Sequence, residues 1–146
     1  MATRGSGRGM RLDERAVRVP EAARTRVAAL VSSWEFKRRA GFGTPDAPPR
    51  AGEEGILTKR LFGIRFSEPV QVTWADDHGF GYRAMPGHPL IGEESFVLGE
   101  DGVFRARSTS RPASLRWWLV YPGLRLVQWS THRRYVRIVM DEAATG

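Results

Sequence analysis

The sequence contains no cysteine, which excludes disulfide bonds and thiolate metal sites. It has only three histidines, and none stands in the HxxxH or HExxH spacing of a helical zinc site. There is no glycine-rich phosphate loop, no nucleophile elbow and no apolar run long enough to span a membrane. The first ten residues are not followed by the apolar segment of a secretory signal. We therefore expect a cytoplasmic protein that uses neither a metal nor a cofactor.

Lysine is also scarce, because all but two of the 23 basic residues are arginines. The formal net charge of +7 suggests nucleic-acid binding. However, the arginines are dispersed among acidic residues, as in many proteins of GC-rich genomes. The two basic clusters, Lys37-Arg38-Arg39 and Arg133-Arg134, fall on predicted helices, where a solvated face is the simpler interpretation. We expect no specific nucleic-acid partner.

The chain of 146 residues is long enough for one domain with its own core. Residues 1–12 are predicted to be a disordered basic tail and residues 13–146 the domain. After a strand candidate at 16–19, helical spacing of apolar residues predicts one helix from Pro20 to Ala40. Helical spacing returns near the C-terminus, in a short helix over 113–120 and a long one from Pro122 to Glu142. We expect the apolar side of the long helix to be buried, with Leu124, Val127, Tyr135 and Ile138 on it.

Between these helices, alternating side chains predict five strands, at 55–62, 70–74, 80–84, 94–98 and 103–109. Pro69 is expected to precede its strand or to lie at a sheet edge. Strand, helix, meander and long C-terminal helix is the order of a helix-grip, or START-like, fold. We therefore predict an α+β protein in which a curved antiparallel sheet of about six strands wraps around the C-terminal helix.

One segment carries an unusual combination of residues. A Pro-Gly-His-Pro loop at 86–89 is followed by Gly92-Glu93-Glu94-Ser95-Phe96. Phe80-Gly81-Tyr82 stands before the loop, while Ser110-Arg111-Pro112 and Arg133-Arg134-Tyr135 follow later. Together these motifs resemble the bacterial and plant family catalogued as domain of unknown function nineteen-ninety. The resemblance implies a START-like fold but no activity, because that of the family is not established.

Strand alternation places Glu94 on the same face as Phe96 and Leu98, and therefore towards a cavity between sheet and helix. Glu93 would then face solvent. A carboxylate on an apolar face requires a partner or a raised pKa. Arg83, Arg105 and Arg107, on adjoining strands, are the candidate partners. The alternative is a structural Glu–Arg pair that fixes strand register.

His88 is held by its flanking Gly87 and Pro89, and it could exchange protons with a nearby carboxylate. It could equally hydrogen-bond to the backbone and only fix the loop. Arg111 could bind a ligand carboxylate bidentately, or cap a helix. Aromatic side chains could line the cavity or its mouth. The predicted ligand-binding residues are Tyr82, Arg83, Arg105, Arg111, Trp118 and Tyr135.

Two functions fit this pattern. The first is a binding protein for a small hydrophobic or amphipathic molecule, with an apolar cavity between the sheet and the C-terminal helix. The alternative is a cofactor-independent enzyme, of the cyclase or dehydratase type, that uses His88 and Glu94 for acid–base chemistry. Because one fold hosts many functions, the choice between the two depends on the site itself.

Overall fold

The computed structural model describes residues 11–86, 90–112 and 115–145. The elements follow in this order: strand β1 (Arg11–Arg18), a 3₁₀ turn (Glu21–Ala23), helices α1 (Arg24–Val31) and α2 (Glu35–Arg39), strands β2 (Glu54–Leu61), β3 (Ile64–Asp76), β4 (Gly79–Ala84), β5 (Leu90–Leu98) and β6 (Val103–Pro112), and helix α3 (Leu115–Ala144).

The six strands form one open antiparallel sheet in the order β1-β6-β5-β4-β3-β2. Strands β2 to β6 form a meander, and the last of them, β6, pairs with the N-terminal strand β1. The long helix α3 packs against β1 and β6 and against α1 and α2. The structure thus confirms the α+β class and the helix-grip arrangement predicted from the order of elements.

The concave face of the sheet carries the core, because alternate residues of each strand point towards the helices. Aromatic rings form its centre. Phe36 of α2 lies 5.0 Å from the Phe96 ring, and Tyr135 of α3 lies 4.9 Å from both rings. Burying these rings removes several hundred Å² of apolar surface from water, which is the main force that holds α2 and α3 on the sheet.

The first helix is shorter than predicted. Instead of running from Pro20 to Ala40, the helical segment breaks after Val31, and α2 begins at Glu35. Ser32 donates its hydroxyl hydrogen to the carbonyl of Ala29, and Ser33 to that of Leu30. Such local side-chain hydrogen bonds compete with the helical ladder, so two successive serines favour a break.

Strand β3 begins earlier than predicted and contains Pro69, which therefore does not precede the strand. Proline lacks only the amide donor. Its carbonyl still accepts a hydrogen bond from the Met85 amide, at 2.9 Å, so pairing continues through this residue. Strand β1 is likewise longer than its predicted span, starting at Arg11. The remainder of the predicted tail, residues 1–10, lies outside the described residues.

The C-terminal segment is one helix of 30 residues rather than two, with Pro122 inside it and exposed. The prediction of a break before Pro122 is therefore wrong. Tyr135 and Ile138 are buried, as predicted. The side chains of Leu124 and Val127 lie outside the described part. Within that part, no helix is both long enough and apolar enough to cross a membrane.

Candidate functional site

A polar row crosses the otherwise apolar concave face. Tyr82 of β4 pairs with Glu94 of β5, and Glu94 pairs with Ser108 of β6, so the three side chains point to the same face. Further along β5 on this face, Phe96 and Leu98 are buried. Glu93, on the opposite face, is exposed. The predicted directions of Glu94 and Glu93 are both confirmed.

The Glu94 carboxylate is surrounded by three polar side chains from three elements. The Tyr82 hydroxyl donates a hydrogen bond to Oε2 at 2.5 Å. The Lys37 ammonium of α2 lies 3.8 Å from the same oxygen. On the other side, Nε2 of His132 from α3 lies 3.7 Å from Oε1. We call these four residues the internal polar cluster.

None of the three predicted arginines pairs with Glu94, contrary to the prediction. Arg83 donates to the side-chain oxygen of Gln71, Arg105 pairs with Asp101 at 2.8 Å, and Arg107 pairs with Glu14. All three arginines occupy strand positions that alternate with the inward ones. Their side chains therefore lie on the convex face, on the opposite side of the sheet from Glu94.

Lys37 is buried rather than solvated, with an exposed fraction of 1%. The break before α2 turns this short helix so that Phe36 and Lys37 both face inwards. The Lys37 ammonium donates a hydrogen bond to the Tyr135 hydroxyl at 2.5 Å and lies 3.7 Å from the centroid of the Phe42 ring. The prediction that Lys37, Arg38 and Arg39 form a solvated helix face is therefore wrong for Lys37.

Burial and charge act in opposite directions in this cluster. Burial by itself would raise the pKa of Glu94, but Lys37, His132 and Tyr82 together lower it to about 2. Burial lowers the pKa of Lys37, and the Glu94 and Glu68 carboxylates partly oppose that shift. Burial raises the pKa of the Tyr82 hydroxyl, and the neighbouring Glu94 carboxylate adds to the rise. These shifts keep the Glu94 carboxylate ionised beside Lys37 and keep the proton on the Tyr82 hydroxyl.

His132 has an exposed fraction of only 2%. Its Nε2 has no hydrogen-bond partner among the described residues. The 3.7 Å to Glu94 is too long for a hydrogen bond. Buried polar atoms are nearly always paired with protein or water. Nε2 of His132 thus keeps its hydrogen-bonding capacity for another molecule, which would have to approach from the side because 3.7 Å leaves no room between the two atoms.

A cleft of about 440 Å³ opens beside this cluster, between β2 and α3. Lys59 and Thr131 lie in its wall, with Nζ of Lys59 donating to the Thr131 hydroxyl at 3.4 Å. The Phe42 ring contacts both lysines, because the Lys59 ammonium lies 4.2 Å and the Lys37 ammonium 3.7 Å from its centroid. The cleft is lined by Lys59, Arg60, Leu61, Phe62, Ser130, Thr131 and Arg134.

Two ionisable groups near the cleft titrate close to neutral pH. Burial, together with the positive charges of Lys37 and Arg134, lowers the pKa of Lys59 to about 8. Burial raises the pKa of Glu68 to about 7, because it outweighs the opposing effect of Lys37. Among the described residues, no three His, Asp or Glu side chains converge as they would around a metal ion.

The structure brings only part of the predicted set together. Glu94, Tyr82 and Tyr135 meet on the concave side, and Tyr135 is fully buried. Arg83 and Arg111 are exposed, and Arg105 lies on the convex face with them. His88 and the Trp118 side chain lie outside the described residues.

Comparison with known proteins gives a family and a fold. A family model described as "Domain of unknown function (DUF1990)" matches residues 1–138. This is the family that the sequence motifs resemble. No curated protein matches the chain.

Several solved structures share the fold. Ginseng major latex-like protein 151 from Panax ginseng superposes with a TM-score of 0.61 at 7% identity, covering 92% of this chain and 98% of its own. Protein Ms6760 from Mycobacterium smegmatis gives 0.61 at 14% identity, with 90% of each chain covered. The di-domain ARO/CYC StfQ, from the steffimycin biosynthetic pathway, gives 0.62 at 14% identity, covering 92% of this chain and 51% of its own. At these identities the likeness establishes the fold alone.

Proposed function

The chain belongs to the family described as Domain of unknown function (DUF1990), and from its helix-grip fold we propose that it binds a small molecule between the sheet and α3. The molecule has an apolar body and a polar end. The internal polar cluster receives the polar end, and the cleft between β2 and α3 gives access from solvent. Pockets of this kind are typically apolar with a few fixed polar groups.

The observation that carries this proposal is the unpartnered Nε2 of His132. It is buried, and it faces a carboxylate that Lys37 and Tyr82 already hold in place. A hydroxyl oxygen that lies to the side of both atoms, about 2.8 Å from each, could donate to Glu94 and accept from His132 when Nε2 carries the proton. This arrangement favours a ligand with a hydroxyl, for example a phenol, over a ligand whose polar end can only accept hydrogen bonds.

Naphthol, a fluorescent apolar ring system with one hydroxyl, is a suitable probe. We expect saturable binding, and we expect His132→Phe to weaken it by about 5- to 100-fold because one buried hydrogen bond is lost. His78, exposed in the turn between β3 and β4, provides the matched control His78→Phe. Thermal unfolding of both variants separates loss of binding from loss of fold.

If Nε2 of His132 binds only a structural water, His132→Phe should leave the affinity for naphthol unchanged. Equal weakening by His78→Phe would also count against the site. Absence of saturable naphthol binding by the wild-type protein would contradict a hydroxyl-binding cluster.

A second candidate function is acid–base catalysis on the same bound molecule. Glu68 and Lys59, with pKa values of about 7 and about 8, fit proton transfer near neutral pH. Glu94, ionised down to about pH 2, would supply a fixed negative charge rather than exchange a proton. StfQ, described as an ARO/CYC, makes a cyclase-type reaction a reasonable choice. If the reaction is a cyclisation with loss of water, a molecule retained on purification would lose the mass of one water on incubation, and Glu68→Gln would stop this loss.

A further inference from the structure

The hairpin of β2 and β3 ends in an apolar tip, Leu61–Ile64. Phe62 has an exposed fraction of 90% and Ile64 one of 59%, whereas Leu61 is partly exposed. Scattered apolar residues on a surface are ordinary. Contiguous ones at a projecting turn more often mark an interaction site.

The backbone of this turn is unfavourable for the residue it carries. Phe62 has a φ of 52° and is the single non-glycine residue with positive φ in the described part of the chain; Gly63 follows with a φ of 75°. A two-residue turn of this kind favours asparagine followed by glycine. A bulky ring in the left-handed region is an outlier, and such outliers concentrate at functional sites. The exposed ring is therefore not explained by the stability of the turn.

Two arginines flank the tip on the convex side. Arg60 and Arg65 are exposed and pair directly across the hairpin. Like charges directly opposite each other destabilise a strand pair. The sequence from Ile56 to Ser67 contains no acidic residue that could relieve this repulsion locally. An anionic group bridging the two guanidinium groups would do so.

We propose that the tip, Leu61–Ile64 with Arg60 and Arg65, docks on the surface of a bilayer that contains anionic phospholipid. The apolar side chains enter the boundary between headgroups and acyl chains, and the two arginines bind lipid phosphates. Exposed apolar side chains next to two adjacent cations match a surface that is anionic at its boundary and apolar below. The proposal does not depend on the ligand proposed above.

Docking would also orient the cleft. Leu61 and Phe62 form part of its wall, so a bilayer that binds the tip would face the mouth between β2 and α3.

The test is sedimentation of the full-length protein with phosphatidylcholine vesicles, with and without phosphatidylserine. We expect binding only with phosphatidylserine and weaker binding at higher salt. Phe62→Asn should reduce the partition coefficient by about tenfold, because one buried aromatic side chain is lost. Arg60→Gln and Arg65→Gln should each reduce it by about fivefold. Asparagine suits the positive φ, so Phe62→Asn should fold at least as well as the wild type.

Two controls locate the contact. Ile56, with an exposed fraction of 58% at the far end of β2, gives the apolar control Ile56→Thr. Arg50, exposed in the preceding loop, gives the charge control Arg50→Gln. Both should bind vesicles as the wild type does. The first ten residues contain Arg4 and Arg8, which could also attract an anionic bilayer. Vesicle binding that is insensitive to Phe62→Asn would therefore place the contact outside the tip and overturn the proposal. No vesicle binding would overturn it too, as would a dimer in the wild type that Phe62→Asn abolishes.

Discussion

Lys37 is expected to be the most stability-sensitive member of the internal polar cluster. Lys37→Met removes a buried ammonium that lies 3.8 Å from Glu94 and hydrogen-bonds to Tyr135. Methionine has a similar length, so the space stays filled while Glu94 loses its charged partner. Breaking one side of a buried ion pair costs about 3–5 kcal/mol. Urea unfolding at neutral pH should show a loss of that size.

The pKa of Glu94 gives a second magnitude, for the net effect of burial and of all the groups around this carboxylate. It falls from 4.5 to about 2 on folding, which at about 1.4 kcal/mol per unit corresponds to about 3 kcal/mol. Because the folded-state pKa is lowered, this stabilisation is present above pH 4.5 and is lost as the pH falls towards 2. Without Lys37, burial should raise the pKa of Glu94 instead, so the variant should lose stability as the pH rises above about 4.5. The difference between wild type and Lys37→Met should therefore narrow on acidification.

A double-mutant cycle identifies the cause. Lys37→Met/Glu94→Gln removes both charges and should be more stable than Lys37→Met alone, because no uncompensated charge remains. Glu93→Gln, the change at the neighbouring exposed carboxylate, should stay within about 0.5 kcal/mol of the wild type. A loss below about 1 kcal/mol for Lys37→Met, or a pH profile parallel to that of the wild type, would refute this reasoning.

Three further outcomes are expected. Pro122→Ala should stabilise the protein by about 1–3 kcal/mol in urea unfolding, because a proline inside α3 lacks the amide hydrogen that a helical hydrogen bond needs; a loss of stability would contradict the helix. Burial raises the pKa of Glu68 from 4.5 to about 7. The contribution of this group to the stability of the fold is therefore present below pH 4.5 and is lost as the pH rises through 7. The free energy of unfolding of Glu68→Gln should therefore be up to about 3 kcal/mol higher than that of the wild type above pH 7, and equal to it below pH 4. Binding to DNA should be weak and fade steeply with salt; nanomolar, sequence-selective binding at physiological salt would contradict it.

The fold was largely predictable because its signals are local. Alternation in 94–98 gives the direction of Glu94, and the change of period along the chain gives the order of elements. The two errors in the helices have local causes as well. Ser32 and Ser33 end α1 through their own hydroxyl groups, whereas Pro122 is tolerated where its side chain faces solvent.

The site was harder to predict because its contacts are distant in sequence. Lys37 meets Tyr135 across 98 positions, and no local pattern shows that α3 covers α2. Two signals were nevertheless present. His132 lies at helical spacing from Tyr135 and Val139, both of which are buried. Lysine is rare in this arginine-rich chain, and both copies, Lys37 and Lys59, lie at or beside the cluster.

The proposed small molecule would be held by the internal polar cluster. Native mass spectrometry of the protein, purified gently from its own cells, tests this directly. We predict a species heavier than the bare chain by the mass of one small molecule, strongly reduced in His132→Phe and retained in His78→Phe. A spectrum of the bare chain alone, or an added mass that both variants retain equally, would contradict the claim.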